Sequence, residues 1–397
     1  MSSGAVADAR EPRWRHERFG AIVALDDPPV LAYVDQVLAT ELGLPASPLW
    51  QHPSREALEA PVEAHLTVTK RCNLACTHCY QDSTPAAGGT DLPLEEWRRR
   101  LDVLARAKVF HVAIGGGEAL TRPDLLEIAE AARARGITPN LTTNGEFVTD
   151  QFACRAATLF GQINVSIDAL PPRPVFGAHK ASTGMRAALL LRQAGARVGV
   201  NLVVARDNFD AVRAVVEWAA ANGLVEVELL RLKPTGRARA RYLSERLTRS
   251  QRERLFPLAL ELAAYYGIPV KLDCSAAPFV ACHAPDRERM ERFEVAGCIG
   301  GLSLLGVDER GRTSPCSFYP GGENDLLDLE RDWDAGRGFG PFRDYVAQAE
   351  EPCRSCAYLP TCRGGCRAVA VFLTGREHAP DPECPRVEDH VAAPPMS

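Results

Sequence analysis

The chain has 397 residues, of which 46% are hydrophobic and 24% charged, a composition typical of a soluble globular protein with one large or two smaller domains. Its formal net charge of −5 gives no basis for binding nucleic acid or a membrane surface, and no stretch is suited to a signal peptide or a membrane span. Thirteen cysteines without an export signal favour metal ligation in the reducing cytoplasm over a disulfide framework.

Residues 1–60 form an N-terminal extension rich in proline, alanine and charged residues. Apolar side chains recur at helical spacing between Leu31 and Leu38, which predicts one amphipathic helix over residues 29–42. We expect this helix to pack on the outside of the following domain. The segment is short for a winged-helix module that recognises leader peptides, so a peptide-docking role stays open.

Strand-like and helical patterns alternate between residues 61 and 270. The strand-like runs cover residues 65–68, 110–114, 139–142, 163–167, 198–204 and 225–232, and the helical patterns cover residues 94–107, 124–135, 149–159, 184–194, 210–221 and 250–266. Six such alternations predict parallel βαβ units of the α/β class with right-handed crossovers. A full eight-unit barrel needs ~250 residues, so this segment is sized for about six units.

The first chemical motif follows the first strand, where three cysteines stand at x3 and x2 spacing: Cys72, Cys76 and Cys79. Three thiolates suit iron-sulfur chemistry and leave one iron of a cubane without a protein ligand. A zinc site would want a fourth Cys or His nearby, and His78 is poorly placed for that role. The motif resembles the signature of the radical S-adenosylmethionine (SAM) superfamily, with His78 in the aromatic-type position before the third cysteine.

This resemblance implies a partial (β/α)6 TIM-like barrel and a 4Fe-4S cluster. In the family the cluster chelates the amino and carboxylate groups of SAM and releases a 5′-deoxyadenosyl radical. Active-site residues of such barrels follow the strands, at their C-terminal ends. The residues for which we therefore expect SAM contacts are His78, Tyr80, Gly116, Gly117, Glu118, Asn144, Ser166, Asp168, Asn201 and Arg231.

The reasons for these assignments differ from motif to motif. Residues 115–119 resemble the family's GGEP motif, with Ala119 in place of the proline. In that motif glycines permit close backbone approach and Glu118 accepts from the SAM ammonium group; a glycine turn with a helix-capping Glu is the alternative. Strand alternation puts Ser166 and Asp168 on one face, where they are expected to hold the ribose hydroxyls. Arg231, at a strand's end, is expected to pair with the SAM carboxylate.

A second cysteine array fills the C-terminal part of the chain and resembles the SPASM extension, which binds two auxiliary 4Fe-4S clusters. By position, the outer cluster takes Cys353, Cys356, Cys362 and Cys384, and the inner cluster takes Cys298, Cys316 and Cys366. The fourth inner ligand is open: Cys274, Cys282, a substrate group or none. We assign residues 61–270 to the core barrel, 271–390 to this cysteine-rich domain and 391–397 to a tail.

The combined resemblance is to peptide maturases of the mycofactocin type. It implies three 4Fe-4S clusters, SAM, an external electron donor and oxidation of a ribosomally synthesised precursor peptide by crosslinking, decarboxylation or dehydrogenation. A separate peptide-recognition protein is a further expected partner. The alternatives are a small-molecule dehydrogenase, an enzyme like the sulfatase maturases, and a non-catalytic iron-sulfur electron carrier. No general acid or base is assigned.

Overall fold

The computed structural model describes residues 12–26, 29–87, 89, 91–171, 181–286, 290, 296–319 and 322–392. Residues 1–11 of the predicted extension and 393–397 of the predicted tail lie outside this set. The strands are β1 (Arg13–Glu17), β2 (Gly20–Asp26), β3 (Pro29–Asp35), β4 (Glu63–Thr67), β5 (His111–Gly115), β6 (Thr138–Thr143), β7 (Ile163–Ser166), β8 (Val198–Val204), β9 (Glu226–Arg231), β10 (Val270–Leu272), β11 (Leu304–Val307) and β12 (Thr313–Ser314).

The α-helices of the described residues are mostly short outside the central part of the chain. They are α1 (Gln36–Glu41), α2 (Leu94–Arg106), α3 (Leu125–Ala134), α4 (Asp150–Leu159), α5 (Ala181–Gln193), α6 (Val212–Ala221), α7 (Ala238–Glu245), α8 (Arg249–Tyr266), α9 (Ala277–Ala281), α10 (Leu329–Asp334), α11 (Gly340–Arg343), α12 (Tyr345–Gln348), α13 (Leu359–Cys362), α14 (Arg367–Thr374) and α15 (Pro385–Ala392). Within the described residues, none of them is both long and apolar enough to cross a membrane.

A nine-stranded sheet forms the centre of the molecule, in the order β10-β9-β8-β7-β6-β5-β4-β11-β12. Strands β4 to β10 pair in parallel with their sequence neighbours, which confirms the predicted α/β class. Strand β11 returns from the C-terminal part and pairs in parallel with β4, so that the cysteine-rich segment is joined to the first strand of the core. Only β12 at the edge runs antiparallel.

The faces of this sheet differ in polarity, and the difference decides where chemistry can occur. On β4 the buried Ala64 and Leu66 alternate with Glu63, His65 and Thr67. The apolar face packs under the helices; α2, for example, buries Trp97, Leu101 and Leu104 in the main core. The inward face is therefore polar, unlike the apolar filling of most small barrels.

The N-terminal extension contains a small antiparallel sheet, β1-β2-β3, and the helix predicted for residues 29–42 is wrong in its first half. Strand β3 pairs along its length with β2, and α1 begins only after Asp35, whose Oδ1 accepts from the backbone N–H of Leu38 at 2.8 Å. A short apolar run is compatible with both the helical and the strand periodicity, and here the pairing with β2 makes it a strand.

Buried arginine contacts attach this small sheet to the core. The guanidinium of Arg15 pairs with Glu17 and donates to the carbonyl oxygens of Ala60 and Pro61 at 2.8 and 2.9 Å. Arg15 also donates to the carbonyl oxygens of Ala107 and Lys108, at the end of α2, where backbone carbonyls have no partner within the helix. The sheet is thus held at the N-terminal side of β4.

Candidate active site

The three-cysteine motif lies on a loop that follows β4 and is braced by the glycines after β5. The N–H groups of Gly117 and Glu118 donate to the carbonyls of Thr69 and Arg71 at 2.7 and 2.8 Å. Gly116 has a φ of +145°, and a Cβ on Gly117 would overlap the carbonyl oxygen of Arg71. These glycines are therefore required by the close approach of the cysteine loop itself.

Arg237, a residue outside the predicted site, also holds this loop in place. Its Nε donates to the carbonyl of Cys76 at 2.9 Å, its Nη2 to Ser83 at 2.6 Å, and its backbone N–H to Cys79 at 3.0 Å. The preceding Gly236 lies against the carbonyls of Cys79 and Tyr80. The glycine-arginine pair just after the sixth predicted strand is the sequence feature that could have pointed to this role of Arg237.

The thiols of the loop are partly buried and close to one another. Burial raises the pKa of the Cys72 thiol to about 11, and the negative charges of Glu118, Cys76 and Cys79 add to the effect. Backbone N–H groups of Leu74 and Ser83 point at the sulfurs of Cys72 and Cys79, both at 3.4 Å. Crowded thiols supplied with N–H donors fit an iron-sulfur cluster, which replaces their protons by metal.

Glu118 is the best-organised carboxylate beside this loop and is only 2% exposed. Its Oε1 accepts from the Thr143 hydroxyl at 2.8 Å and from the Leu120 N–H, and its Oε2 accepts from the Asn144 N–H at 2.7 Å. The Asn144 side chain in turn donates to Asn73 of the cysteine loop at 2.9 Å. Glu118 thus caps the short turn after it, as the alternative interpretation required, and also joins two predicted SAM-binding motifs.

The residues predicted for the ribose lie at the end of β7 and just after it. The Oδ1 of Asp168 accepts from the backbone N–H of Val203 at 3.0 Å, and its Oδ2 lies 3.7 Å from Nε2 of His78. Ser166 stands opposite Asn201 in the register of β7 and β8, and Asn201 accepts from Asn164 at 2.8 Å. The predicted SAM contacts of these residues stay predictions, but the residues lie close together on and after neighbouring strands of the central sheet.

Arg231 does not belong to this group, and its predicted pairing with SAM is corrected by the structure. Its guanidinium donates to both carboxylate oxygens of Asp381, to Glu383 at 2.8 Å and to the carbonyl of Ser275, and it lies over the Phe279 ring. Arg231 is 4% exposed and shares the apolar face of β9 with Val227 and Leu229. Its positive charge is paired with the carboxylates of the C-terminal segment.

The barrel interior also holds titratable groups that sequence reasoning missed. Burial raises the pKa of Glu228 to about 7, with the negative charges of Asp273 and Glu226 contributing. Lys233 pairs with Asp273, and its ammonium lies 4.2 Å from the centroid of the Phe318 ring. The alternation of charged with apolar residues along β9 was the signal that could have placed Glu228 inside.

The cysteines assigned to the inner auxiliary cluster adjoin this interior. Burial raises the pKa of Cys316 to about 12, and the neighbouring sulfurs of Cys298 and Cys366 add to the shift. Nδ1 of His65 lies 3.2 Å from the hydroxyl oxygen of Ser317, and the rings of Tyr80 and Phe318 are 4.5 Å apart. The segment carrying Cys316 therefore touches both β4 and the residue that follows the first cysteine motif.

The four cysteines assigned to the outer cluster, Cys353, Cys356, Cys362 and Cys384, line one cavity of about 320 Å³. Burial raises the pKa of Cys384 to about 12. Among the described residues, no three Cys, His, Asp or Glu side chains converge closely enough to hold a single metal ion. A cavity with thiols spread around its wall suits a multi-iron cluster rather than one ion.

Comparison with known proteins assigns the chain to a family. The radical SAM superfamily profile matches residues 66–219. The mycofactocin maturase MftC of Mycobacterium ulcerans is 30% identical over 346 residues, which are 82% of this chain and 88% of that protein. The AdoMet-dependent heme synthase of Methanosarcina barkeri is 27% identical over 340 residues, 80% of this chain and 94% of that protein.

The fold has solved counterparts as well. Streptococcus suis SuiB bound to its precursor peptide SuiA superposes with a TM-score of 0.75 at 16% identity, covering 94% of this chain and 98% of that one. At this identity the likeness concerns the fold alone. Together with the cysteine motif after β4, the glycine brace and the relatives in sequence, these findings show that the chain belongs to the radical SAM superfamily of enzymes, which bind a 4Fe-4S cluster and SAM.

Proposed function

We propose that this enzyme oxidises a ribosomally synthesised precursor peptide by crosslinking, decarboxylation or dehydrogenation, and that an auxiliary iron-sulfur cluster takes up one electron. The observation that carries the proposal is the contact between Tyr80, beside the first cysteine motif, and Phe318, two residues after Cys316. It sets a second group of buried thiols next to the polar barrel interior. Cluster potentials span roughly −700 to +450 mV, a range that includes electron acceptors for a substrate radical.

The residues around the first motif have distinct tasks in this proposal. Cys72, Cys76 and Cys79 would hold the cluster that, once reduced by an external donor, cleaves SAM and supplies a 5′-deoxyadenosyl radical. Glu118, whose Oε2 accepts from the Asn144 N–H, would receive the SAM ammonium group. Asp168, with His78 beside it, would face the ribose. Arg237 keeps the loop rigid while these contacts form.

The two sets of C-terminal cysteines would hold one cluster each. The cavity lined by Cys353, Cys356, Cys362 and Cys384 supports the outer cluster, because four cysteines border one space. The thiols of Cys298, Cys316 and Cys366 support the inner cluster, and the positive charge of Lys233 beside them would balance part of its negative charge. The inner cluster is the nearer one to the substrate in this arrangement.

Two observations favour a peptide as the substrate. The named relatives include mycofactocin maturases and a PqqA peptide cyclase, and a structural neighbour is bound to a precursor peptide. In the described part of the N-terminal sheet, β3 is an edge strand that exposes apolar side chains, with Tyr33 56% and Val30 43% exposed. An exposed sheet edge can receive an extended peptide as an additional strand.

The second candidate substrate is a small molecule of the tetrapyrrole class. The relatives named heme synthases cover 80% of this chain at 26 to 27% identity, which makes this alternative specific. It keeps the radical chemistry and the auxiliary electron acceptor but needs no docking surface for an extended chain.

The test incubates anaerobically reconstituted enzyme with reductant, SAM and peptides encoded by short reading frames next to its gene. We expect one of these peptides to lose hydrogen or carbon dioxide by mass spectrometry, in step with 5′-deoxyadenosine. The matched control replaces Glu118 by Gln, whose carbonyl oxygen can still accept from Thr143 but whose NH2 group accepts neither from Asn144 nor from an ammonium group. Unmodified peptides, with deoxyadenosine formation stimulated instead by a tetrapyrrole, would overturn the peptide assignment.

A further inference from the structure

Cys274 stands outside the seven-cysteine array, yet the structure puts it beside that array. It follows β10 at the C-terminal end of the parallel sheet and begins a short turn, Cys274–Ala276. Its flanking residues are both anchored: Asp273 pairs with Lys233, and the carbonyl of Ser275 accepts from Arg231 at 2.9 Å. The backbone on either side of Cys274 is therefore fixed to the end of β9.

The same end of β9 also fixes Cys366. Asp381 accepts from Arg231 at 2.6 Å and, through the same oxygen, from the backbone N–H of Cys366 at 3.0 Å. Cys274 and Cys366 are thus each linked to the Arg231 guanidinium, one through Ser275 and the other through Asp381. All of these links are buried within the protein.

Cys316 and Cys298 approach the same point from the other side. The Phe318 ring lies under the Lys233 ammonium, 4.2 Å from ring centroid to Nζ, and this places Cys316 near the residue that also pairs with Asp273. The segment after Cys298 is joined to the Cys316 segment by a bond from the Gly301 N–H to the Pro315 carbonyl at 3.2 Å. Four cysteine-bearing segments therefore converge around Lys233.

The two cysteines left over by the sequence motif have different neighbours. Cys274 lies near the sulfurs of Cys298 and Cys366 and near the Lys233 ammonium. Cys282 differs, because its sulfur lies against the Phe279 carbonyl and its charged neighbours are Glu253 and Arg386. The two cysteines left over by the sequence motif are thus distinguished by position.

We propose that Cys274 is the fourth ligand of the inner auxiliary cluster, together with Cys298, Cys316 and Cys366, so that every iron of that cluster has a protein ligand. The proposal rests on the proposed function, which supplies the cluster. On binding, the Cys274 thiol gives up its proton to solvent and its sulfur bonds to iron. A cluster closed in this way transfers electrons and does not bind a substrate thiolate.

The experiment measures ligation without any substrate. The full chain carrying Cys72→Ala, Cys76→Ala and Cys79→Ala removes the SAM-binding cluster, whose open iron would otherwise respond. Isotopically labelled cyanide is added to the reduced protein, and its hyperfine coupling to iron is recorded by pulsed electron paramagnetic resonance. In this triple variant we expect no hyperfine coupling between cyanide and iron while Cys274 is present.

Replacing the cysteine should change that result. Adding Cys274→Ala should either create cyanide coupling or remove about four irons, and Cys274→Ser should shift the resonance of one auxiliary cluster. The matched variant Cys282→Ala should do neither. Cyanide coupling with Cys274 intact, or unchanged spectra and iron content in both Cys274 variants, would overturn the proposal. A background protein with no auxiliary clusters at all would instead contradict the proposed function.

Discussion

Glu228 is the single residue whose ionisation most clearly opposes folding at neutral pH. Burial raises its pKa from 4.5 to about 7, so across that window the folded chain binds a proton that the unfolded chain has already lost. The free energy of unfolding therefore falls as the pH rises through the window, by up to about 3 kcal/mol from this group. Below this window Glu228 is protonated in both the folded and the unfolded chain, so the protein keeps its full stability there.

Glu228→Gln removes this titration and should make the protein relatively more stable as the pH increases. We expect melting temperatures of wild type and variant to be similar near pH 5 and the variant to melt higher near pH 8, since only the wild type must then bury a carboxylate. Thermal unfolding of reconstituted protein across this range gives the comparison. Glu95→Gln, at an exposed position of α2, is the control and should show no such divergence; a parallel pH profile for Glu228→Gln would contradict the account.

Arg231 is the residue on which the joint between the sheet and the C-terminal segment depends. Arg231→Met leaves the buried Asp381 without its cation and Glu383 with Arg246 alone, which should cost about 3–5 kcal/mol of stability. The control is Arg249→Met, whose partners Glu253 and Asp389 are exposed to water and need no cation. Calorimetry should show a large fall in melting temperature for the first variant only. Equal stability of the two variants would mean that the buried ion network contributes nothing.

Residues could be singled out from the sequence where a motif specifies them, and were misplaced where strand alternation was not applied. The spacing of the cysteine motif and the glycine-rich motif of Glu118 predict roles for these residues, and these roles stay predictions. Arg231 was misassigned although the period of two puts it on the face of Val227 and Leu229, away from the barrel interior. Arg237 was missed, because its carbonyl partners are more than 150 positions away and only the adjacent glycine pointed to it.

At the scale of elements, the turn after β5 and the cysteine loop after β4 act as one unit. Gly117→Ala should displace the loop, since a Cβ there overlaps the Arg71 carbonyl oxygen and no side-chain movement can relieve a backbone clash. We expect iron analysis to show loss of about four irons, with the auxiliary clusters retained. Gly115→Ala is the matched control, because no atom lies within 4 Å of its added Cβ. Full iron content in Gly117→Ala would refute this coupling.

The edge strand β3 is the element on which peptide binding is expected to depend. Tyr33→Lys adds a charged, flexible side chain at a 56% exposed aromatic position and should weaken binding of the peptide substrate about tenfold. Titration by fluorescence anisotropy with a labelled peptide measures the change. Tyr265→Lys, at a 76% exposed tyrosine of α8, should leave the affinity unchanged. An equal effect of both substitutions would remove β3 from the docking surface.

The elements themselves were predictable wherever a long periodic pattern specified them. Strand β8 has the predicted bounds, and the helices of the core begin and end within three residues of their predicted limits. Strand β10 was missed because three residues are too few to show a period. Strand β11, with all four residues buried, carries no alternation and depends on pairing with β4, a partner about 240 positions earlier.

At the scale of the whole molecule, two groups of cysteines meet across a sheet that the C-terminal segment completes. Strand β11 extends the sheet beside β4, and the Arg231 network ties the other end of the sheet to residues 381–383. The polar interior lies between these two joints. In the proposed function, this arrangement would let a radical centre and an electron acceptor act on one substrate.

The measurement that tests this account most directly is anaerobic reconstitution, followed by reduction in the presence of SAM and assay of 5′-deoxyadenosine, iron and sulfide on the same sample. We predict deoxyadenosine formation with about twelve irons per chain, and about eight irons with no deoxyadenosine when Cys72, Cys76 and Cys79 are replaced by Ala. Deoxyadenosine from a wild-type protein that holds only about four irons would contradict the auxiliary clusters. A fully loaded protein that forms none would contradict the radical chemistry itself.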